Sequence, residues 1–174
     1  MKYHSESILA HPRDAVFVAY RDRLTEIAAY LEDIAAVNVI SRAEDGAIVK
    51  MHNEWVSDRS VPTVAKSFIK PEHLRWDDHA TWDANSFTVR FDIKTRVFTD
   101  AVRCFGTNTF VAEGDKTRII LDGDFDVNLR EIPGVPRLLA GTIKPQVEKF
   151  IIGLIQPNLE KTNDAVGRFL SAQG

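Results

Sequence analysis

One cysteine, Cys104, stands in a chain of 174 residues. It excludes an internal disulfide and any cysteine-rich metal cluster, so nothing here calls for an oxidising compartment. No apolar run approaches the roughly 20 residues of a membrane-spanning helix. The opening Met1-Lys2-Tyr3-His4-Ser5-Glu6-Ser7 lacks the apolar core of a secretory leader, and the cytoplasm is the expected compartment. A basic excess is also lacking: the net charge is −3, the pI is near 5.9, and lysines and arginines are scattered and not clustered. Without a basic face to neutralise phosphates, no nucleic-acid partner is expected, nor stable membrane insertion. The histidines His4, His11, His52, His73 and His79 lack the helical spacing or Cys/His pairing of a tetrahedral zinc site, so no metal is expected. Glycine-rich phosphate loops, a Gly-x-Ser-x-Gly elbow and dinucleotide fingerprints are missing too, which leaves no cofactor.

What is present is apolar patterning. With 44% hydrophobic residues and no repeat or low-complexity linker, residues 1–174 are expected to form one domain with its own core. Residues 2–10 read as a strand ended at His11-Pro12, since the residue before proline is pushed away from helical geometry. Val16, Phe17, Tyr20, Leu24, Ile27, Ala28 and Leu31 recur at three- and four-residue spacing, predicting two short helices broken around Arg21–Thr25. Strands follow over Val37–Arg42, Ala47–Val56, Val64–Ile69, Leu74–Trp82, Phe87–Val97, Ala101–Ala112 and Thr117–Leu129. Turn compositions such as Glu44-Asp45-Gly46 separate most of them, and short turns imply antiparallel neighbours.

In Phe87-Thr88-Val89-Arg90-Phe91-Asp92-Ile93-Lys94, apolar and polar residues alternate, so one face of the sheet is dry and must be covered. The cover is expected from a helical pattern running to about Leu170 through Phe150, Ile151, Leu154, Leu159, Val166 and Phe169. Pro157 removes the bond to the carbonyl of Gly153, which predicts a bend between them. The segment from Leu138 to Ile143, with Gly141, is expected to act at most as a gate.

A strand, two short helices, six antiparallel strands and one long terminal helix resemble the START/Bet v 1-like (SRPBCC) superfamily of polyketide cyclases and lipid-transport domains. The resemblance also rests on Ser7-Ile8-Leu9-Ala10-His11-Pro12-Arg13-Asp14-Ala15-Val16-Phe17 and on the Lys144–Leu170 helix. Cys104-Phe105-Gly106-Thr107, Thr117-Arg118 and Gly123-Asp124-Phe125-Asp126-Val127 are similar to a bacterial branch with no assigned activity. The resemblance implies an α+β helix-grip fold, in which a curved antiparallel sheet of about seven strands wraps the terminal helix around a cavity. Such cavities hold lipids, polyketides or other small hydrophobic ligands, and fold alone leaves activity open.

Candidate cavity residues are those that alternation places inward. Asp78 lies in the row of Leu74, Trp76 and Trp82, and Asn53 lies between Met51 and Trp55. Arg103 and Thr107 share a row with Phe105. Phe91 and the helical Phe150, Ile151 and Leu154 complete the set. Each has a plainer alternative: a bulge turns Asp78 to solvent or is capped by Asn53, Arg103 sits in a surface ion pair, and the aromatics simply fill a core. His79 and Asp77 fall on the opposite, wet face. Cys104 is expected to be a buried or half-buried strand residue. The leading expectation is binding or transport of a hydrophobic small molecule without catalysis. The alternative is a cyclase- or dehydratase-like enzyme in which Asp78, Asn53 and Arg103 polarise a carbonyl and move a proton.

Overall fold

The computed structural model describes residues 2–60, 70, 74–96, 102–127, 145, 149 and 159–174. Strand β1 (Lys2–Leu9) stops before His11-Pro12, and α1 (Arg13–Asp22) begins directly after Pro12. Arg23, at φ −119° and ψ 18°, leaves helical geometry and separates α1 from α2 (Leu24–Ile27), which a 3-10 turn (Ala28–Tyr30) extends. Six strands follow: β2 (Ile34–Asp45), β3 (Ile48–Ser57), β4 (Arg75–Asp83), β5 (Thr88–Thr95), β6 (Val102–Glu113) and β7 (Lys116–Val127). Helix α3 spans residues 159–173. The expected strand over Val64–Ile69, the gate over Leu138–Ile143 and the bend between Gly153 and Pro157 lie outside the described residues.

All seven strands form one antiparallel sheet in the order β1-β7-β6-β5-β4-β3-β2. The first two strands of the chain are therefore its two edges, and the α1–α2 connection carries the chain from one to the other. Each later pair is a hairpin between sequence neighbours. At the first of these, Gly46 takes φ 58°, the left-handed conformation a tight turn needs.

Pleating decides which face is dry. In β5, Val89, Phe91 and Ile93 are buried while Arg90, Asp92 and Lys94 are exposed. In β7, Ile119, Leu121 and Phe125 are buried while Asp122 and Asp126 are exposed. The helices cover the buried side. Phe17 of α1 meets Trp82, Phe87 and Phe110 edge-on, with ring centroids 5.2, 5.2 and 5.3 Å away. Such pairs add roughly 1 kcal/mol each beyond area burial.

Helix α3 buries Ala165, Val166 and Phe169 and is tied down by polar contacts. Asn163 Nδ2 donates to Ser7 Oγ at 3.1 Å, and Lys161 Nζ donates to Asp33 at 2.9 Å. His11 Nε2 lies 3.2 Å from the Gly167 carbonyl, and Arg168 donates to the Tyr30 carbonyl.

Gly106 of β6 faces Phe91 on one side and Gly123 of β7 on the other. A Cβ on Gly106 would stand 2.4 Å from the Asp122 carbonyl oxygen and 2.7 Å from Phe91 Cζ. The bare backbone there leaves the room that the Phe91 ring occupies. Gly106→Ala is expected to cost about 3 kcal/mol, the upper end for overpacking, as read by urea unfolding. Around Gly46 nothing lies within 4 Å of such a Cβ, so Gly46→Ala is expected to cost only about 1 kcal/mol, for the left-handed backbone. Equal losses for the two variants would contradict this account.

Candidate ligand cavity

A cavity of about 50 Å³ lies between the dry face of β3–β6 and the helices. Strand β3 contributes Met51, Asn53 and Trp55, and β4 contributes Trp76, Asp78, Ala80 and Trp82. From β5 come Val89, Phe91 and Ile93, and from β6 comes Asn108; Tyr20, Arg21, Leu24, Leu159 and Thr162 close it from the helices. These strand positions share the inward phase of the pleat, so period two alone brings them to one wall. The hollow follows from side-chain size. Ala80 is in register with Met51 on one side and Phe91 on the other, and Phe91 with Gly106. Small residues between tryptophan rows leave unfilled volume.

Trp55 and Trp76 are cross-strand partners whose rings stack at 5.8 Å and 11°. Next to them Asn53 and Asp78 are also partners, with Asn53 Nδ2 donating to Asp78 Oδ2 at 3.3 Å. Asn53 is 1% exposed. Asp78 keeps partial access at the residue level, yet its Oδ1 is shielded and has no hydrogen-bond partner. Burial pushes its carboxyl up to about 6, against the lesser opposing pull of Asn53 and of the Trp55 indole. That indole faces the carboxylate without reaching hydrogen-bond geometry, since Trp55 Nε1 is itself unpartnered. Asn53 Oδ1, Trp82 Nε1 and Asn108 Oδ1 are likewise buried and unpaired.

On the helix side, burial and the Asp78 charge raise the Tyr20 phenol, partly offset by hydrogen bonds with Thr162 and Asn108. Its hydroxyl stays neutral and linked to both. Burial, with the charges of Asp78 and Asp92, pushes the Cys104 thiol up to about 12. Only the thiolate is a strong nucleophile, so this cysteine is inert at neutral pH.

Of the sequence candidates, Asn53, Trp55, Trp76, Asp78, Trp82 and Phe91 line this cavity. Arg103, Phe105 and Thr107 do not. In β6 the buried positions are Val102, Cys104, Asn108 and Phe110, while Arg103 and Phe105 are exposed, Phe105 by 43%. Register explains the reversed phase: Cys104 pairs with Ile93 and Phe125, whereas Phe105 pairs with Asp92 and Asp124. Phe105 gives the wrong row an apolar look, and Gly106 and Asn108 weaken the right one. Phe150, Ile151 and Leu154 lie outside the described residues.

Sequence reading missed Tyr20, Asn108 and Thr162 as polar wall residues. Their only sequence signals are spacings: Asn108 stands two positions from Phe110, and Thr162 stands between Leu159 and Val166. On the outer face, Asp77 accepts from His52 Nε2 at 2.7 Å and from Arg96 Nε at 3.0 Å. Among the described residues no three His, Cys, Asp or Glu side chains are placed to hold a metal ion.

The fold has many solved relatives. An aromatase/cyclase from Streptomyces sp. R1128 superposes with TM-score 0.68 at 13% identity, over 96% of this chain and 91% of the other. A norcoclaurine synthase from Thalictrum flavum gives 0.59 at 15% identity, over 98% and 86%. A START superfamily protein from Mycobacterium smegmatis gives 0.56 at 13% identity, over 99% of both chains. At these identities the likeness concerns fold. Comparison with curated protein sequences gives no match. The family profile described as "Protein of unknown function (DUF2505)" matches residues 6–154. The chain therefore carries a START/Bet v 1-like helix-grip fold and belongs to the DUF2505 family.

Proposed function

We propose that residues 1–174 act as one domain that binds a small hydrophobic ligand, of the lipid or polyketide kind, between sheet and helices. The observation that carries this reading is a tryptophan-walled hollow in which buried polar atoms lack partners. A buried polar group without a hydrogen bond costs about 1–3 kcal/mol. A ligand that supplies those bonds recovers the cost on binding, and its apolar body removes aromatic surface from water. A cavity of about 50 Å³ holds on the order of four water-sized centres at about 10–15 Å³ each. That favours a compact occupant over a long acyl chain. Among the described residues no helix is long and apolar enough to cross a membrane; a cytoplasmic location is part of the proposal and does not rest on that.

Native mass spectrometry before and after organic extraction tests this directly. Either a co-purifying small molecule or recovered capacity for a compact apolar probe, read by quenching of the three tryptophans, is expected. A protein that carries nothing and quenches with no probe overturns the reading.

A second reading, a cyclase- or dehydratase-like enzyme, draws on the Asn53–Asp78 pair alone. A carboxyl titrating near 6 beside an amide donor suits proton transfer near neutral pH. Under it, Asp78→Asn retains ligand binding and loses turnover.

Burial of Asp78 also has a consequence for stability. Its folded carboxyl titrates near 6 against 3.8 for the free group, so the folded state holds the proton more tightly. Stability is therefore unpenalised below pH 4 and falls as pH rises through the window to 6, by on the order of 3 kcal/mol. Asp78→Asn removes that penalty. The stability difference between variant and wild type is expected to be near zero at pH 4 and to favour the variant at pH 7–8, in paired denaturant titrations. A difference independent of pH would show that Asp78 is not held in a desolvated site.

A further inference from the structure

The charge lining the cavity is unbalanced. Of the described wall residues, two carry formal charge, Asp78 and Arg21. The guanidinium of Arg21 is already engaged, with Nε and Nη2 donating to Asp22 at 2.8 and 2.7 Å. Asp78 receives a single long bond from a neutral amide, and His52 is the described group whose charge draws its carboxyl down. Beside it, Asn53 Oδ1 is a second acceptor without a donor. Two neighbouring unfilled acceptors, one of them anionic, thus stand in a cavity that Trp55, Trp76 and Trp82 also line.

We propose that the cavity selects a compact hydrophobic amine, whose ammonium group donates to Asp78 Oδ1 and Asn53 Oδ1 while its hydrocarbon part packs on the tryptophan faces. The proposal rests on the cavity-binding reading and narrows it to one ligand chemistry. An ammonium carries three donors and no acceptor, which matches the two neighbouring open acceptors, while the Trp55 and Trp82 indole N–H groups stay unpaired beside it. Hydrogen bonds to ionised groups contribute about 1.5–3 kcal/mol, and a desolvated cation over aromatic faces gains about 2. A carboxylate ligand would be repelled by Asp78, and an alcohol can satisfy only one of the two acceptors. Around Asp78 the other titratable groups are His52 of β3 and Asp92 of β5, which act in opposite senses, with Cys104 of β6 and Tyr20 of α1, both neutral near pH 7.

The test uses the full chain and tryptophan quenching, with phenethylamine and butylamine each compared with the matching alcohol and carboxylic acid at pH 7.5. Alkyl amines are protonated there, as lysine is. Amines are expected to bind at least about tenfold more tightly than the alcohols, a difference of 1.4 kcal/mol, and acids more weakly still. In Asp78→Asn the amine preference should vanish, with an unchanged far-UV circular dichroism spectrum showing that the variant folds. On wild type alone the preference should shrink between pH 7.5 and pH 5. If alcohols bind and amines bind no more tightly, or if Asp78→Asn keeps the preference, amine selection is wrong and the cavity reading stands. If neither amines nor alcohols bind, both fall together.

Discussion

The site depends on the pleat of the sheet being held in register across strands of unequal side-chain size. Where tryptophans stand opposite one another, as Trp55 does to Trp76, the dry face is thick. Where Met51, Ala80, Phe91, Gly106 and Gly123 follow in line, side chains shrink to nothing and the Phe91 ring settles onto bare backbone. The helices span this uneven surface without filling it, because Phe17 is already braced against Trp82, Phe87 and Phe110 beyond the thin row. Close packing elsewhere fixes the hollow in place.

Electrostatics then differentiates two neighbours in sequence. Asp77 and Asp78 have the same side chain and opposite fates, because consecutive strand residues point to opposite faces. Asp77 lies on the outer face, where Arg96 and then His52 hold its carboxyl below the usual range. Asp78 lies inside, where the dominant influence is lost hydration and the carboxyl rises. The first arrangement is a satisfied surface network that needs no ligand. In the second, polar capacity stays unused in a low-dielectric pocket, where each hydrogen bond is worth more than in water. That contrast leaves unfilled hydrogen-bonding capacity in the cavity and none in the outer cluster of Asp77, Arg96 and His52, which is why the proposed ligand is assigned to the cavity.

Much of the architecture was legible because it obeys simple periods. The break near Arg23, the Asp45-Gly46 turn, the hairpin order and the alternation of β5 each rest on local stereochemistry, and each lies where that stereochemistry requires. The β6 segment was misread because its local pattern carries little information. Phe105 and Val111 mark one face, Val102 and Phe110 mark the other, and the residues between are glycine, threonine and asparagine. Its phase is set by partners far along the chain, Ile93 on one side and Phe125 on the other.

Sequence by itself determined that this chain alternates, turns and covers one dry sheet face with helices, since backbone sterics and apolar period act over a few residues. It also marked Asn53 and Asp78 as polar residues in apolar rows. Tertiary structure alone decided that these two face each other at 3.3 Å, that Arg103 stands outside, and that Tyr20, Asn108 and Thr162 join the wall. Those outcomes depend on cross-strand register and helix docking, where burial and pairing are properties of neighbours that no local window contains.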